Sequence, residues 1–111
     1  MKVYDCVIIG AGPAGASAAL YMARGGSNVA LVEKLATGGM LLQTAELENY
    51  PGFPKGIKGY EMADALDAHM VDYPLDRYSD EVKEVDLKSN PKRVLIGSEW
   101  VETGSVIFAM G

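Results

Sequence analysis

Tyr4-Asp5-Cys6-Val7-Ile8-Ile9-Gly10-Ala11-Gly12-Pro13-Ala14-Gly15 is a short apolar run that closes on a cluster of glycines. An alanine-rich segment follows, and then a second apolar run that ends at the acidic Glu33. Strand, Gly-x-Gly-x-x-Gly turn, helix and strand-end carboxylate, in that order, are what a fold needs to hold the diphosphate of a dinucleotide. Gly10 makes the tight turn out of the strand, Gly12 lets backbone approach the pyrophosphate, and Gly15 lets the helix pack close to the sheet. The backbone from Pro13 to Gly15 forms the helix N-terminus, whose free N–H groups and positive dipole end face the phosphates. Glu33 follows Gly10 at close to the spacing of about 20 residues expected of a carboxylate that binds a ribose 2′-hydroxyl. The same glycines could serve a purely structural turn, but the strand–helix–strand context favours the nucleotide.

The rest of the composition narrows the class. The chain has 111 residues, 49% of them hydrophobic and 23% charged, the balance of one folded domain with a modest core. A net charge of −5 argues against a nucleic-acid or anionic-membrane partner. The acidic residues concentrate between Glu61 and Asp86, and their plain reading is a solvated helix and loop. Cys6 is the single cysteine, so this chain can form neither an internal disulfide nor a CxxC pair, and no metal site is expected. Inside the first strand it reads as a buried, inert thiol. Asp5 and Arg24 interrupt the apolar stretches, so a signal peptide or membrane span is not expected and a cytoplasmic location is.

Residues 4–9 read as a buried parallel strand, 13–24 as a helix with proline in its first turn, and 29–32 as a second strand. Gly25-Gly26 ends the helix. Residues 33–58 carry little periodicity, and a loop of that length in a compact domain usually binds something. Pro51-Gly52 suits the centre of a type II turn. Residues 61–72 have helical spacing, with Met62, Ala65, Leu66, His69 and Met70 near one stripe. His69, the only histidine, reads as structural or exposed. Beyond Leu75 the period shifts toward two: Val82 and Val85 in one strand, 93–96 in another, 100–103 in a third, and 105–108 as a final apolar strand. Gly97-Ser98-Glu99 is a hairpin turn signal.

At this point the chain resembles the FAD domain of thioredoxin reductases. The resemblance is carried by DCVIIGAGPAGASAALYMAR, LVEK, GGMLLQTAELENYPGFPKGIKGYEM and the closing VIFAMG, and it spans essentially the whole chain. GAGPAG alone fits many flavoproteins; ENYPGFP after a Gly-Gly loop is the more specific part. The resemblance implies a Rossmann-like FAD/NAD(P)-binding three-layer α/β fold, with a parallel sheet and a small antiparallel ribbon, incomplete within these residues. It implies that Gly10, Ala11, Gly12, Pro13, Ala14 and Gly15 hold the FAD pyrophosphate, and that Glu33 binds the adenosine ribose with Lys34 beside it. Gly38, Gly39 and Met40 would run along the ribityl chain and flavin, and Asn49 would aim its amide at the isoalloxazine region. An Asx-turn before Pro51 is the other reading of Asn49. Val82 would meet the adenine through its backbone, and Ala109 and Gly111 would close over the cofactor.

The resemblance also implies a parent enzyme, a homodimer that passes electrons from NADPH or another reduced donor through FAD to a CxxC disulfide and on to thioredoxin. This chain departs from the pattern at Met40, where the family usually has glutamine, and at Met110, where it usually has threonine. It also lacks the NADPH domain, the CxxC pair and the closing half of the FAD domain. The expectation is therefore residues 1–111 as the N-terminal part of an FAD-binding domain, with no catalytic residue of its own and inactive alone. Two other readings use the same glycines: a non-catalytic dinucleotide-binding module, and half of an NAD-dependent dehydrogenase.

Overall fold

The first strand, β1 (Val3–Ile9), is covered on both faces: Cys6, Val7 and Ile8 are fully buried in the computed structural model, which describes residues 1–111. Such a strand must lie inside a sheet with a layer on each side. It pairs in parallel with β2 (Val29–Val32) on one edge and with β8 (Glu99–Phe108) on the other. β5 (Asp76–Tyr78) extends the parallel part beyond β2, while β7 (Lys92–Ile96) and β6 (Val82–Asp86) continue it antiparallel beyond β8. The strand order is β5-β2-β1-β8-β7-β6.

Helices α1 (Pro13–Arg24) and α2 (Gly59–Met70) cover one face, where Cys6, Ile8, Val29 and Leu31 pack with Ala16, Ala19, Leu20 and Met70. The ribbon β6–β7–β8 curls across the other face, so that Val7, Ile9, Ala30 and Val32 meet Val94, Ile96 and Val101. This makes three layers of α/β structure, as the resemblance implies. No helix is long and apolar enough to cross a membrane.

Several elements differ from expectation. β5 has no counterpart in the sequence reading, because Asp76-Arg77-Tyr78 is short and polar; it is a strand only because β2 pairs with it. The two strands expected at 100–103 and 105–108 are one. Gly104 stays within the strand; β8 pairs with β7 from Glu99 to Thr103 and with β1 from Glu102 to Phe108, so the two partners overlap at Glu102 and Thr103. On the edge away from β1, residues beyond Thr103 have no neighbouring strand. The long connection holds a 3-10 turn (Gly39–Gln43) and a two-residue ladder of β3 (Glu46–Leu47) with β4 (Ile57–Lys58). Its turn at Pro51-Gly52 is closed by the Phe53 N–H on the Tyr50 carbonyl at 3.3 Å. On α2 the buried stripe includes Met62, Ala63 and Met70, while Ala65 and His69 are exposed.

Far from the glycine turn, Tyr4 ties β1 to β5. Both Asp5 and Cys6 N–H groups point at the Asn28 carbonyl (2.8 and 3.4 Å), and this doubled pairing leaves Tyr4 on the ribbon side with Val7 and Ile9. Its hydroxyl donates to Asp76 Oδ2 at 2.6 Å and stands 2.6 Å from the Tyr78 hydroxyl. Burial, and then the bond to Asp76, push its ionisation well above the usual tyrosine range. A raised folded-state pKa adds stability that is fully present below the unfolded value of about 10 and is lost as pH climbs past it. Tyr4→Phe should cost about 1–2 kcal/mol at neutral pH in urea unfolding, by removing a buried hydroxyl with two partners. The variant should also show a shallower loss of stability above pH ~10.

Candidate functional site

β1, β2, β5 and the second half of β8 run parallel, so their carboxyl ends meet at one edge of the sheet. Open α/β sheets bind their ligands there. A cavity of about 680 Å³ occupies that edge, within the size range of small-molecule and cofactor sites. Its walls come from the glycine turn (Gly10, Gly12, Pro13, Ala14) and the end of β2 (Val32, Glu33, Lys34, Leu35). The 3-10 turn adds Gly39, Met40 and Gln43, and β6 with its approach adds Asp80 to Val85. Ile9, Phe108, Ala109, Met110 and Gly111 complete the lining.

The three glycines of the turn do different things. Gly10 sits at φ +106, and a Cβ there would lie 2.1 Å from the Ala109 carbonyl oxygen. A Cβ on Gly15 would lie 1.7 Å from the Gly10 carbonyl oxygen, so α1 approaches β1 more closely than any side chain allows. Gly12 is unlike both. It has an ordinary φ of −74, and a Cβ there would meet nothing nearer than the Gly38 carbonyl oxygen at 3.8 Å. No protein contact accounts for the missing side chain; it leaves bare backbone on the cavity wall. The same residue is the N-cap of α1, with no side-chain cap and no acidic residue in the first turn. Uncapped N–H groups at the start of a helix, beside a cavity, suit an anion.

Glu33 is anchored rather than free. Its Oε2 accepts the Ala11 N–H at 2.8 Å and its Oε1 the Leu35 N–H at 3.2 Å, which ties the end of β2 to the glycine turn. A carboxylate has about four acceptor positions, so two remain for a ligand's hydroxyls. Asp80, Glu81 and Glu84 join Glu33 on the cavity lining, against Lys34 and Lys83. That end of the cavity is acidic and suits neutral hydroxyl and base groups better than a second phosphate.

Most of the expected residues are brought together here: Gly10, Gly12, Pro13, Ala14, Glu33, Lys34, Gly39, Met40, Val82, Ala109 and Gly111 all line the cavity. Four do not. Ala11 is buried with its N–H already taken by Glu33, so it supports the site from behind. Gly15 serves the contact between α1 and β1. Gly38 is buried against Ala63 and donates its N–H to the Ala11 carbonyl at 2.7 Å. Asn49 lies exposed in the loop between β3 and β4, and no side-chain hydrogen bond holds it, neither an Asx-turn nor any other. Conversely Leu35, Gln43, Phe108 and the acidic Asp80, Glu81 and Glu84 line the cavity without having been singled out. Phe108 could have been found as the last residue of a strand parallel to β1; the acidic residues look like ordinary surface until the fold brings β6 beside Glu33.

Residues 4–111 match the family of pyridine nucleotide-disulphide oxidoreductases, and the chain belongs to that family. Within it the chain is similar to thioredoxin reductases. It is 40% identical to the thioredoxin reductase of Mycolicibacterium smegmatis over 98% of this chain and 35% of that protein. It is 37% identical to that of Listeria monocytogenes over 99% of this chain and 34% of that protein. The crystal structure of thioredoxin reductase from Streptococcus pyogenes superposes with a TM-score of 0.92 at 36% identity, over 99% of this chain and 36% of that one. The chain thus spans about a third of the length of the curated relatives it matches.

Proposed function

We propose that residues 1–111 are the N-terminal part of the FAD-binding domain of a thioredoxin reductase-like flavoprotein disulfide oxidoreductase. The observation that carries the reading is Gly12: an unconstrained position, bare of side chain, at the uncapped start of α1 and on the cavity wall. In this reading the N–H groups at the start of α1 hold the FAD pyrophosphate, and the two remaining acceptor positions of Glu33 take the adenosine ribose. Val82 flanks the adenine, and Met40, Ala109 and Gly111 close the flavin end. The flavin supplies the electron-transfer chemistry, and this chain binds and orients it. The lack of a strand beside β8 beyond Thr103 supports a domain completed by other residues. The whole reductase would take electrons from NADPH or another reduced donor and deliver them through a CxxC pair to thioredoxin, as a cytoplasmic homodimer.

The first test is the visible absorption spectrum of the purified protein, repeated after denaturation. A flavin spectrum whose released species is FAD is the expected result. Bound NAD with no flavin would replace this reading with the dehydrogenase one. Disulfide reduction by residues 1–111 alone, with flavin and donor added, would contradict the division of labour proposed here.

A further inference from the structure

Arg77 of β5 reaches across to α2 and to the loop after β2. Its Nη2 donates to Asp67 Oδ1 and to Thr37 Oγ1, and Thr37 Oγ1 donates to the same Asp67 oxygen at 3.1 Å. Thr37 immediately precedes Gly38, whose N–H donates to the Ala11 carbonyl at 2.7 Å. The N–H of Ala11 in turn donates to Glu33 Oε2 at 2.8 Å. One line of hydrogen bonds and backbone therefore runs from β5 and α2, through the loop, to the glycine turn and the carboxylate on the cavity wall.

The loop needs such a tie. Gly38 and Gly39 both have positive φ, +107 and +51, in a pair of residues with more backbone freedom than any other. Gly38 is confined by Ala63, since a Cβ on it would lie 2.5 Å from the Ala63 side chain. Gly39 lines the cavity and stands next to Gly12. We propose that Thr37, Asp67 and Arg77 form a positioning network that holds the Gly38-Gly39 turn against the glycine turn in the conformation a dinucleotide requires. This rests on the nucleotide reading of the cavity. None of the three residues touches the ligand; they act through Gly38 and Gly39.

The network is too exposed to matter much for overall stability. The side chains of Arg77 and Asp67 are 35% and 50% exposed, and ion pairs in that setting contribute little. What it alters is the ordering that the loop must otherwise undergo on binding. The bond from Arg77 also holds the Asp67 carboxyl below the usual carboxylate range, burial opposing and the charge of Arg77 and the bond from Thr37 adding to it. A lowered folded-state pKa gives a contribution that is present above the ordinary value of about 3.9 and disappears as pH falls through the lower one, so the network is intact at neutral pH.

The test is FAD affinity by titration of the apoprotein, made from the same chain that yields the wild-type spectrum, with thermal unfolding of each apoprotein alongside. Thr37→Val should weaken FAD by roughly two- to tenfold while the apoprotein unfolds at nearly the parent temperature. Thr37→Ser should restore binding. Thr37→Val combined with Arg77→Lys should be no weaker than the worse single variant, because both break one network. Unchanged affinity in Thr37→Val, additive losses in the pair, or no rescue by serine would overturn the network while leaving the FAD site standing. A wild-type protein that binds no dinucleotide would overturn both.

Discussion

Gly15→Ala should remove a large share of the domain's stability. Intrinsic preference argues the other way, since alanine is favoured over glycine by about 1 kcal/mol inside a helix. The geometry decides. A Cβ at Gly15 would fall 1.7 Å from the carbonyl oxygen of Gly10, a backbone atom that cannot swing aside. α1 would have to lift from β1, opening the contact of Ala16, Ala19 and Leu20 with Cys6 and Ile8. Overpacking against a movable side chain costs about 1–3 kcal/mol, and here the neighbour is main chain, so a loss of at least about 3 kcal/mol is expected. A domain of this size holds only about 5–15 kcal/mol in total. Soluble yield and thermal unfolding, with and without added FAD, are the measurements. A variant that unfolds within a few degrees of the parent would show that α1 can relax away from the turn.

Gly15 was legible in sequence because its reason is local: a motif spacing places it over Gly10, the residue that follows β1. The same holds for β1, α1, β2 and the hairpin at Gly97, each set by apolar period and punctuating glycine or proline. Legibility fails where the deciding partner is distant in the chain. Ala63 and Ala65 both satisfy helical spacing, and only the approach of Gly38 selects Ala63 for the buried side. Asp76-Arg77-Tyr78 has no strand pattern of its own, because as an edge strand it needs few apolar residues; β2 and the tyrosine cluster around Tyr4 make it one. Gly104 looked like a break because glycine so often is one, yet an extended glycine interrupts nothing. At the site, the glycine turn and Glu33 could be read directly. The acidic wall from Asp80 to Glu84 could not, since its proximity to Glu33 exists only once the ribbon folds over the sheet.

The counterpart experiment is Gly12→Ala, which should fold as the parent does and, on the FAD reading, bind the cofactor more weakly. At φ −74 alanine is unstrained, and its methyl group would meet only the Gly38 carbonyl oxygen at 3.8 Å, an ordinary contact. Two small effects oppose each other in the apoprotein. Alanine is a poorer N-cap than glycine, and it also lowers the entropy of the unfolded chain by about 0.4–1 kcal/mol. Apoprotein stability should therefore stay within about 1 kcal/mol of the parent. The methyl group, however, stands on the cavity wall at the start of α1, where the proposed pyrophosphate would come within hydrogen-bonding distance of backbone. Displacing it by even part of an ångström should cost about 1–3 kcal/mol, or roughly 5- to 150-fold in affinity. The pair of variants separates two reasons for a glycine that one motif runs together: Gly15 would be required by the fold and Gly12 by the proposed ligand. If Gly12→Ala retains FAD at parental affinity, the pyrophosphate does not lie over the start of α1 and the cofactor reading of the cavity fails; if it destabilises the apoprotein as Gly15→Ala does, Gly12 belongs to the fold after all.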